Sequence, residues 1–288
     1  MKAPSSISYQ EALNRASSFL HKHNKDQSIG KWLMWDLYDL DLTQWLRVKN
    51  TPMPDNDLKN YQAAIRRVAL EDYPWQYISG RAWFYGLALQ VSPNTLIPRQ
   101  ETEDLVTLAL EFLEQSVHKK VLDIGTGTGA IALAIKSQMP KAEVVASDIS
   151  AEALAVAKEN AKSLDLAVDF VLGDSLEPIG DQSFDLIVSN PPYIGSAETA
   201  EMGSDVLKYE PHLALFADNQ GYGFYDHLLA DLGRHLNPGG LFIGEMGYQQ
   251  AQNLEASFFK AYPDHHVYTC KDYTGHKRFI LMQDKGGH

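Results

Sequence analysis

The chain has 288 residues, 44% of them apolar and 22% charged, a balance that fits a folded globular protein and excludes disorder or a fibrous repeat. Lys and Arg total 25 against 37 Asp and Glu, a formal net charge of −12, which argues against a protein that works by neutralising nucleic-acid phosphates. The single cysteine, Cys270, excludes an intrachain disulfide and suits a reducing compartment. Met1 to Gln10 lack the apolar core of a signal peptide, and no stretch has the length of apolar sequence that spans a bilayer. The expectation is a soluble, cytoplasmic protein with no membrane partner, long enough for two domains.

From Ser8 to about Val68 the apolar period is helical. Ser8 and Glu11 have capping-box spacing, and Leu13, Ala16, Phe19 and Leu20 share one face behind them. Trp32, Trp35 and Leu37 mark a second stretch, and after Pro54 a third places Leu58, Tyr61, Ile65 and Val68 on one stripe. A bundle of three or four short helices is predicted over 1–75, with its Trp and Tyr residues read as core. Phe84-Tyr85-Gly86 and Leu87 to Val91 then read as two strands turning at Gly86, so a β-hairpin linker is placed at 76–95.

Residues 96–288 form the second predicted domain. A helix carrying Glu101, Glu103 and Asp104 at its start runs to about Gln115, with acids suited to the positive end of the helix dipole. Strands and helices then alternate. Strands are predicted at Val121–Ile124, Val144–Ser147, Phe170–Leu172, Phe184–Ser189 and Leu241–Gly244, with helices at Ala130–Ser137, Ala151–Leu164, Tyr222–Leu236 and Tyr248–Phe259. Two β-like runs, His266–Cys270 and Arg278–Met282, close the chain around Gly275. This is an α/β pattern, a doubly wound and mainly parallel sheet with an antiparallel hairpin at its edge, and ligands in such sheets bind beyond the carboxyl ends of the strands.

Two motifs sit at such ends. Asp123-Ile-Gly125-Thr126-Gly127-Thr128-Gly129-Ala130 joins a strand to a helix, with glycines that let the backbone turn sharply and approach a ligand. Asp148 ends the next strand, where a carboxylate can accept hydrogen bonds from both ribose hydroxyls of an adenosine. The glycines alone also satisfy a loose dinucleotide fingerprint and leave NAD open. The second motif is Asn190-Pro191-Pro192-Tyr193, directly after the buried strand ending at Ser189. Prolines stiffen the backbone and leave the preceding carbonyls free; Asn190 adds a side-chain carbonyl and Tyr193 a flat face. Such a site can grip a planar NH2 group by both hydrogens.

Together these motifs resemble the S-adenosylmethionine-dependent methyltransferases that modify planar amino or amide nitrogens. Gln76-Tyr77-Ile78-Ser79-Gly80, Phe84-Tyr85-Gly86, Leu96-Ile97-Pro98-Arg99-Gln100-Glu101-Thr102-Glu103 and Glu210-Pro211 with Ala214-Leu215-Phe216 narrow the match to the bacterial peptide chain release factor glutamine methyltransferases, over about residues 8 to 282. The resemblance implies a Rossmann-like class I methyltransferase sheet with a small N-terminal helical domain that helps dock the release factor. The implied reaction moves a methyl group from S-adenosylmethionine to the side-chain nitrogen of the glutamine in the Gly-Gly-Gln loop of class I release factors, giving N5-methylglutamine. Gly125, Thr126, Gly127, Thr128 and Gly129 would line the methionine end of the cofactor, and Asp148 would hold the ribose. Asp174 and Ser175, where an aromatic residue often follows the acid, would lie near adenine, and Asn190 would reach the cofactor as well. Asn190 and the Pro191 carbonyl would hold the glutamine amide, with Pro192 and Tyr193 lining the acceptor site.

No metal is expected: His265 and His266 are adjacent on an edge strand, and with Cys270 they read as a surface pair beside a buried thiol. Arg99, Glu101 and Glu103 read either as an ion-pair cluster or as active-site groups. Methylation of a ribosomal-protein glutamine, methylation of adenine N6 in nucleic acid, and a non-catalytic cofactor sensor are the alternatives; the acidic charge weighs against stable nucleic-acid binding.

Overall fold

Ser8 opens the first helix by accepting the Glu11 N–H on its hydroxyl at 3.2 Å. Only this half of the predicted capping box forms, because the Glu11 carboxylate pairs with Arg15 one turn on. In the computed structural model, which describes residues 7–115 and 119–285, this helix is α1 (Tyr9–Lys22). Met1 to Ser6, within the stretch read for a signal peptide, and the last residues of the predicted second domain lie outside the described residues. Helices α2 (Ser28–Leu37), α3 (Leu42–Val48), α4 (Asp55–Glu71) and α5 (Trp75–Ser79) follow, with a full capping box at α3 between Asp41 and Gln44.

The stripe read on α4 faces a core of Leu20, Leu33, Met34, Met53 and Tyr61, all at most 1% exposed. Trp45 joins this core, but Trp32 is 45% exposed, with the Lys31 ammonium 4.8 Å above its ring. A tryptophan this open is half surface, so the all-core reading of the aromatics is corrected at this position. The buried Tyr61 hydroxyl donates to the Gly30 carbonyl at 2.8 Å. Tyr61→Phe removes that bond and is expected to cost about 1 kcal/mol, read as a lower urea midpoint for unfolding of the helical unit; an unchanged midpoint would show that the bond adds nothing net.

The hairpin strands are β1 (Arg81–Phe84) and β2 (Leu87–Gln90). Tyr85 and Gly86 both have positive φ, 49° and 79°, as a tight two-residue turn requires. Beyond them α6 (Thr102–Gln115) leads to β3 (Lys120–Ile124), α7 (Ala130–Gln138), β4 (Glu143–Asp148), α8 (Ala151–Ser163), β5 (Asp169–Leu172) and β6 (Phe184–Ser189). The connection to β7 (Leu236–Glu245) carries the short helices α9 (Ser204–Tyr209), α10 (Asp218–Gly221) and α11 (Gly223–Leu228). The chain finishes with α12 (Ala251–Ala261), β8 (His266–Lys271) and β9 (Lys277–Gln283).

Contacts divide the chain into two units, one formed by residues up to Arg81 together with Gly203–Tyr209, the other by Ala82–Met202 and the residues from Glu210 on. Within the first unit, α9 is held by Ser204 donating to Asp72 (3.0 Å) and by the Tyr209 hydroxyl donating to the Glu71 carbonyl (2.8 Å).

One predicted helix, Tyr222–Leu236, is replaced by α11, a 3-10 turn at Leu232–His235 and the first residue of β7. The cause is Tyr262, whose hydroxyl donates to the Leu229 carbonyl at 2.6 Å and accepts the Gly233 N–H at 3.0 Å. A side chain takes up groups that a continuing helix would pair with each other. The helix predicted from Tyr248 likewise begins later, at Ala251, because Gly247 to Gln250 form a turn closed by the Gln250 side chain.

The second unit is built on a seven-stranded sheet in the order β5-β4-β3-β6-β7-β9-β8. Strands β3 to β7 run parallel to their neighbours and β9 lies antiparallel between β7 and β8, as the α/β reading expects. Both faces are covered. Val121, Leu186, Val188 and Ile243 pack on one side, and Leu122, Ile187, Phe242 and Ile280 on the other. The winding runs from β3 outward to β5 and then restarts at β6 on the other side of β3. That topological switch point is where an open α/β sheet leaves a crevice.

Candidate active site

Register brings the two sequence motifs side by side. Ile124 pairs with Ser189 across β3 and β6, and the Ser189 hydroxyl donates to the Ile124 carbonyl at 2.8 Å. The glycine turn and Asn190 therefore leave neighbouring strands at the same level. Ser147 pairs with Ile124 on the other flank, which places Asp148 next to the glycines. Ser189 also pairs with Gly244 of β7, so Glu245 emerges level with Asn190.

A cavity of about 370 Å³ opens above these strand ends. Gly125, Thr126, Gly127, Thr128, Asp148, Asp174, Ser175, Asn190, Pro191 and Pro192 line it, all residues singled out in the sequence. Gly129 and Tyr193 are not among its lining residues. A Cβ on Gly129 would stand 3.0 Å from Leu133 and 3.3 Å from Ala157, so this glycine serves close packing of α7 and α8. Tyr193 instead turns its hydroxyl to Glu245 at 3.3 Å.

Gly125 and Gly127 have φ of 71° and 56°, and nothing lies within 4 Å of a Cβ built on either. Both line the cavity, and without side chains their bare backbone can serve as a cradle for a ligand. Asp148 accepts the Gly127 N–H at 2.8 Å on one oxygen and the Ser150 N–H at 2.9 Å on the other. A carboxylate has about four acceptor positions, so these bonds leave capacity open toward a diol. Burial pushes the Asp148 carboxyl up, and these N–H groups oppose the shift. The adjacent Ile149 is 50% exposed at the cavity wall, an apolar surface for a flat heterocycle. Asp148, Asp174 and Asp218 give the lining an acidic character that suits a cationic ligand. These residues fit S-adenosylmethionine: a backbone cradle, a diol acceptor, an apolar wall and acidic surroundings for a sulfonium. Beneath the cradle Asp123 is fully buried, with its carboxyl pushed up to about 7 by burial, while the Thr126 hydroxyl and the Ala132 N–H hold one of its oxygens at 2.6 and 3.2 Å.

At the end of β6, the Asn190 amide NH2 donates to the Thr102 hydroxyl at 3.0 Å, and that hydroxyl donates to Glu245 at 2.7 Å. Neither the Asn190 side-chain oxygen nor the Pro191 carbonyl accepts a hydrogen bond from a described residue. The loop is closed by Gln250, whose amide donates to the Tyr193 carbonyl at 2.9 Å and to the Gly221 carbonyl at 3.3 Å.

The Arg99–Glu103 segment resolves into separate tasks. Arg99 lines the cavity and pairs with the buried Glu210 at 2.5 Å, while the other Glu210 oxygen accepts the Ile97 N–H at 3.1 Å. Glu103 accepts the Tyr85 N–H of the hairpin at 2.8 Å, and Glu101 lies near Tyr273, whose phenol it pushes up. Of this stretch it is Thr102, not its charged neighbours, that touches Asn190. Among the described residues no group of three or more His, Cys, Asp or Glu is arranged to hold a metal. His265 reaches Asp284 at 3.5 Å instead.

Comparison with known proteins bears on this site. Residues 11–80 match the family model described as PrmC N-terminal domain, and residues 100–209 match the Methyltransferase small domain. The Release factor glutamine methyltransferase of Enterococcus faecalis is 38% identical over 275 residues, 96% of this chain and 99% of that protein. The chain belongs to the release factor glutamine methyltransferase family. The Lactococcus lactis member is 42% identical over 86% of this chain and 91% of its own length. A methyltransferase from Pyrococcus furiosus, 21% identical with a TM-score of 0.50, covers 80% of this chain and all of that one, and shares the fold. The cofactor of this release factor glutamine methyltransferase family member is S-adenosylmethionine, in agreement with the donor set of the cavity.

Thr102, Glu245 and Gln250 were not among the candidate residues read from the sequence. Thr102 lay inside the motif that carried the resemblance, and Glu245 at the carboxyl end of a central strand, the position where ligand-side residues collect in such sheets.

Proposed function

We propose that this protein methylates the side-chain nitrogen of the glutamine in the Gly-Gly-Gln motif of class I release factors, producing N5-methylglutamine in the cytoplasm. In this reading residues 1–75 dock the release factor, 76–95 link, and 96–288 carry out the transfer. Gly125 to Thr128, Asp148, Asp174 and Ser175 hold the cofactor; Asn190, Pro191, Pro192 and Tyr193 form the acceptor site. The carrying observation is the pair of unengaged carbonyls, Asn190 and Pro191, level with the glycine cradle in a chain so similar to named release factor methyltransferases.

When bound, S-adenosylmethionine would supply an electrophilic methyl group and leave as S-adenosylhomocysteine, while one of the two amide protons of the substrate passes to solvent. An amide nitrogen is a poor nucleophile because its lone pair is delocalised into its carbonyl. The two acceptor oxygens take its two hydrogens, draw the lone pair out of conjugation and stabilise positive charge growing on nitrogen. The cavity walls would hold the substrate nitrogen close to the bound cofactor, and that proximity would supply the remaining rate gain. No side-chain nucleophile is needed. The net charge of −12 favours a protein substrate over a nucleic acid, and among the described residues no helix is long and apolar enough to cross a membrane. Offering labelled S-adenosylmethionine with release factor, ribosomal proteins and DNA in parallel tests the reading. Label in the release factor supports it, and label confined to either of the others overturns it.

A further inference from the structure

We propose that Thr102 and Glu245 are positioning residues that fix the direction of the Asn190 amide, so that its oxygen and not its NH2 faces the acceptor. The inference rests on the reading of Asn190 as the grip on the substrate amide.

Thr102 begins α6 and Glu245 ends β7, 143 residues apart in sequence, and both are buried. The Thr102 hydroxyl has one proton, and at 2.7 Å that proton is given to Glu245. Only lone pairs remain on the hydroxyl for Asn190, 3.0 Å away, so Asn190 must present its NH2 to Thr102. The reverse orientation would set two oxygens against each other with no hydrogen between them. The Asn190 oxygen is thereby left for the cavity. The second Glu245 oxygen accepts the Tyr193 hydroxyl at 3.3 Å, so one carboxylate steadies both ends of the acceptor loop.

The direction of this chain depends on the charge of Glu245. An ionised carboxylate only accepts, whereas a protonated one can donate to Thr102. Thr102 would then turn its proton toward Asn190, and the amide could reverse and meet the substrate NH2 donor to donor. Burial pushes the Glu245 carboxyl up to about 7; the Thr102 hydroxyl, Arg278 from β9 and the Tyr193 hydroxyl oppose the shift, and Glu101 adds to it. Tyr225 of α11 also faces this group, its hydroxyl donating to the Glu245 backbone carbonyl. The ionised, correctly directed form therefore prevails above about pH 7 and is lost as the pH falls through that value.

The test uses the full-length protein with a release factor substrate. Thr102→Val keeps the shape and removes the hydroxyl; it is expected to lower kcat by about 10- to 100-fold while leaving S-adenosylhomocysteine affinity unchanged. Thr102→Ser should restore most of the rate. The wild-type kcat should rise with pH through about 7, and Glu245→Gln should flatten that step. A packing role alone would lower melting temperature and cofactor affinity together and would leave the pH step in place. Wild-type kcat in Thr102→Val, with Asn190→Ala inactive, overturns the inference and leaves the proposed function standing. Full activity in Asn190→Ala overturns the proposed grip itself. Should Thr102→Val fail to fold, the Glu245→Gln profile decides: an unchanged pH step contradicts the inference.

Discussion

Asn190→Ala is expected to lower kcat by about 10²- to 10³-fold, the usual loss when one preorganised group that stabilises developing charge is removed. The Asn190 oxygen accepts no hydrogen bond from a described residue and stands at the end of β6 beside the glycine cradle, which leaves it open for the proposed bond to the substrate amide. Alanine leaves the Pro191 carbonyl to take a single hydrogen, and the substrate lone pair stays conjugated. Because the interaction strengthens as charge develops on nitrogen, the loss should fall on kcat more than on the cofactor affinity. Steady-state kinetics with labelled cofactor, together with calorimetry using S-adenosylhomocysteine, separates the two. A variant with unimpaired kcat would falsify the two-acceptor account.

Gly127→Val should abolish cofactor binding with limited damage to the fold. The φ of 56° lies in the left-handed region, where a side chain costs about 1–2 kcal/mol and a β-branched one the upper part of that range. A penalty of that size corresponds to a melting temperature a few degrees lower. No heavy atom lies within 4 Å of a Cβ built at this position, and Gly127 lines the cavity, so the added side chain takes up space that a ligand would use. It would occupy the cradle and disturb the Gly127 N–H bond to Asp148. An S-adenosylhomocysteine affinity at least ~100-fold weaker is expected, in line with loss of a backbone cradle and of a charged hydrogen bond. Wild-type affinity in a folded variant would mean that the cofactor sits elsewhere.

Local signals made much of this molecule legible. The strand Phe184–Ser189 has the predicted bounds, because a fully buried parallel strand reads as an unbroken apolar run. The glycine turn and the Asn190–Pro192 stretch also identify themselves locally, since each needs special backbone chemistry at consecutive positions. What the sequence hid was action at a distance. The helix expected over Tyr222–Leu236 fails because Tyr262, from the end of α12, intercepts its hydrogen bonds. Tyr193 is read for its aromatic face, and nothing local reveals that its hydroxyl meets Glu245 of β7. Thr102 and Glu245 meet Asn190 only because strand register and the return of α6 bring three remote segments to one place. Arg99 shows the same limit. Its charge was visible, but its partner Glu210 stands 111 residues away.

The most direct test of the central claim is peptide mass spectrometry of a class I release factor after incubation with this protein and S-adenosylmethionine. The account predicts a single added methyl group on the Gly-Gly-Gln glutamine, carried on the side-chain nitrogen and absent when Asn190→Ala replaces the wild type. A methyl group on any other residue, or an unmodified release factor beside a methylated ribosomal protein, would contradict it.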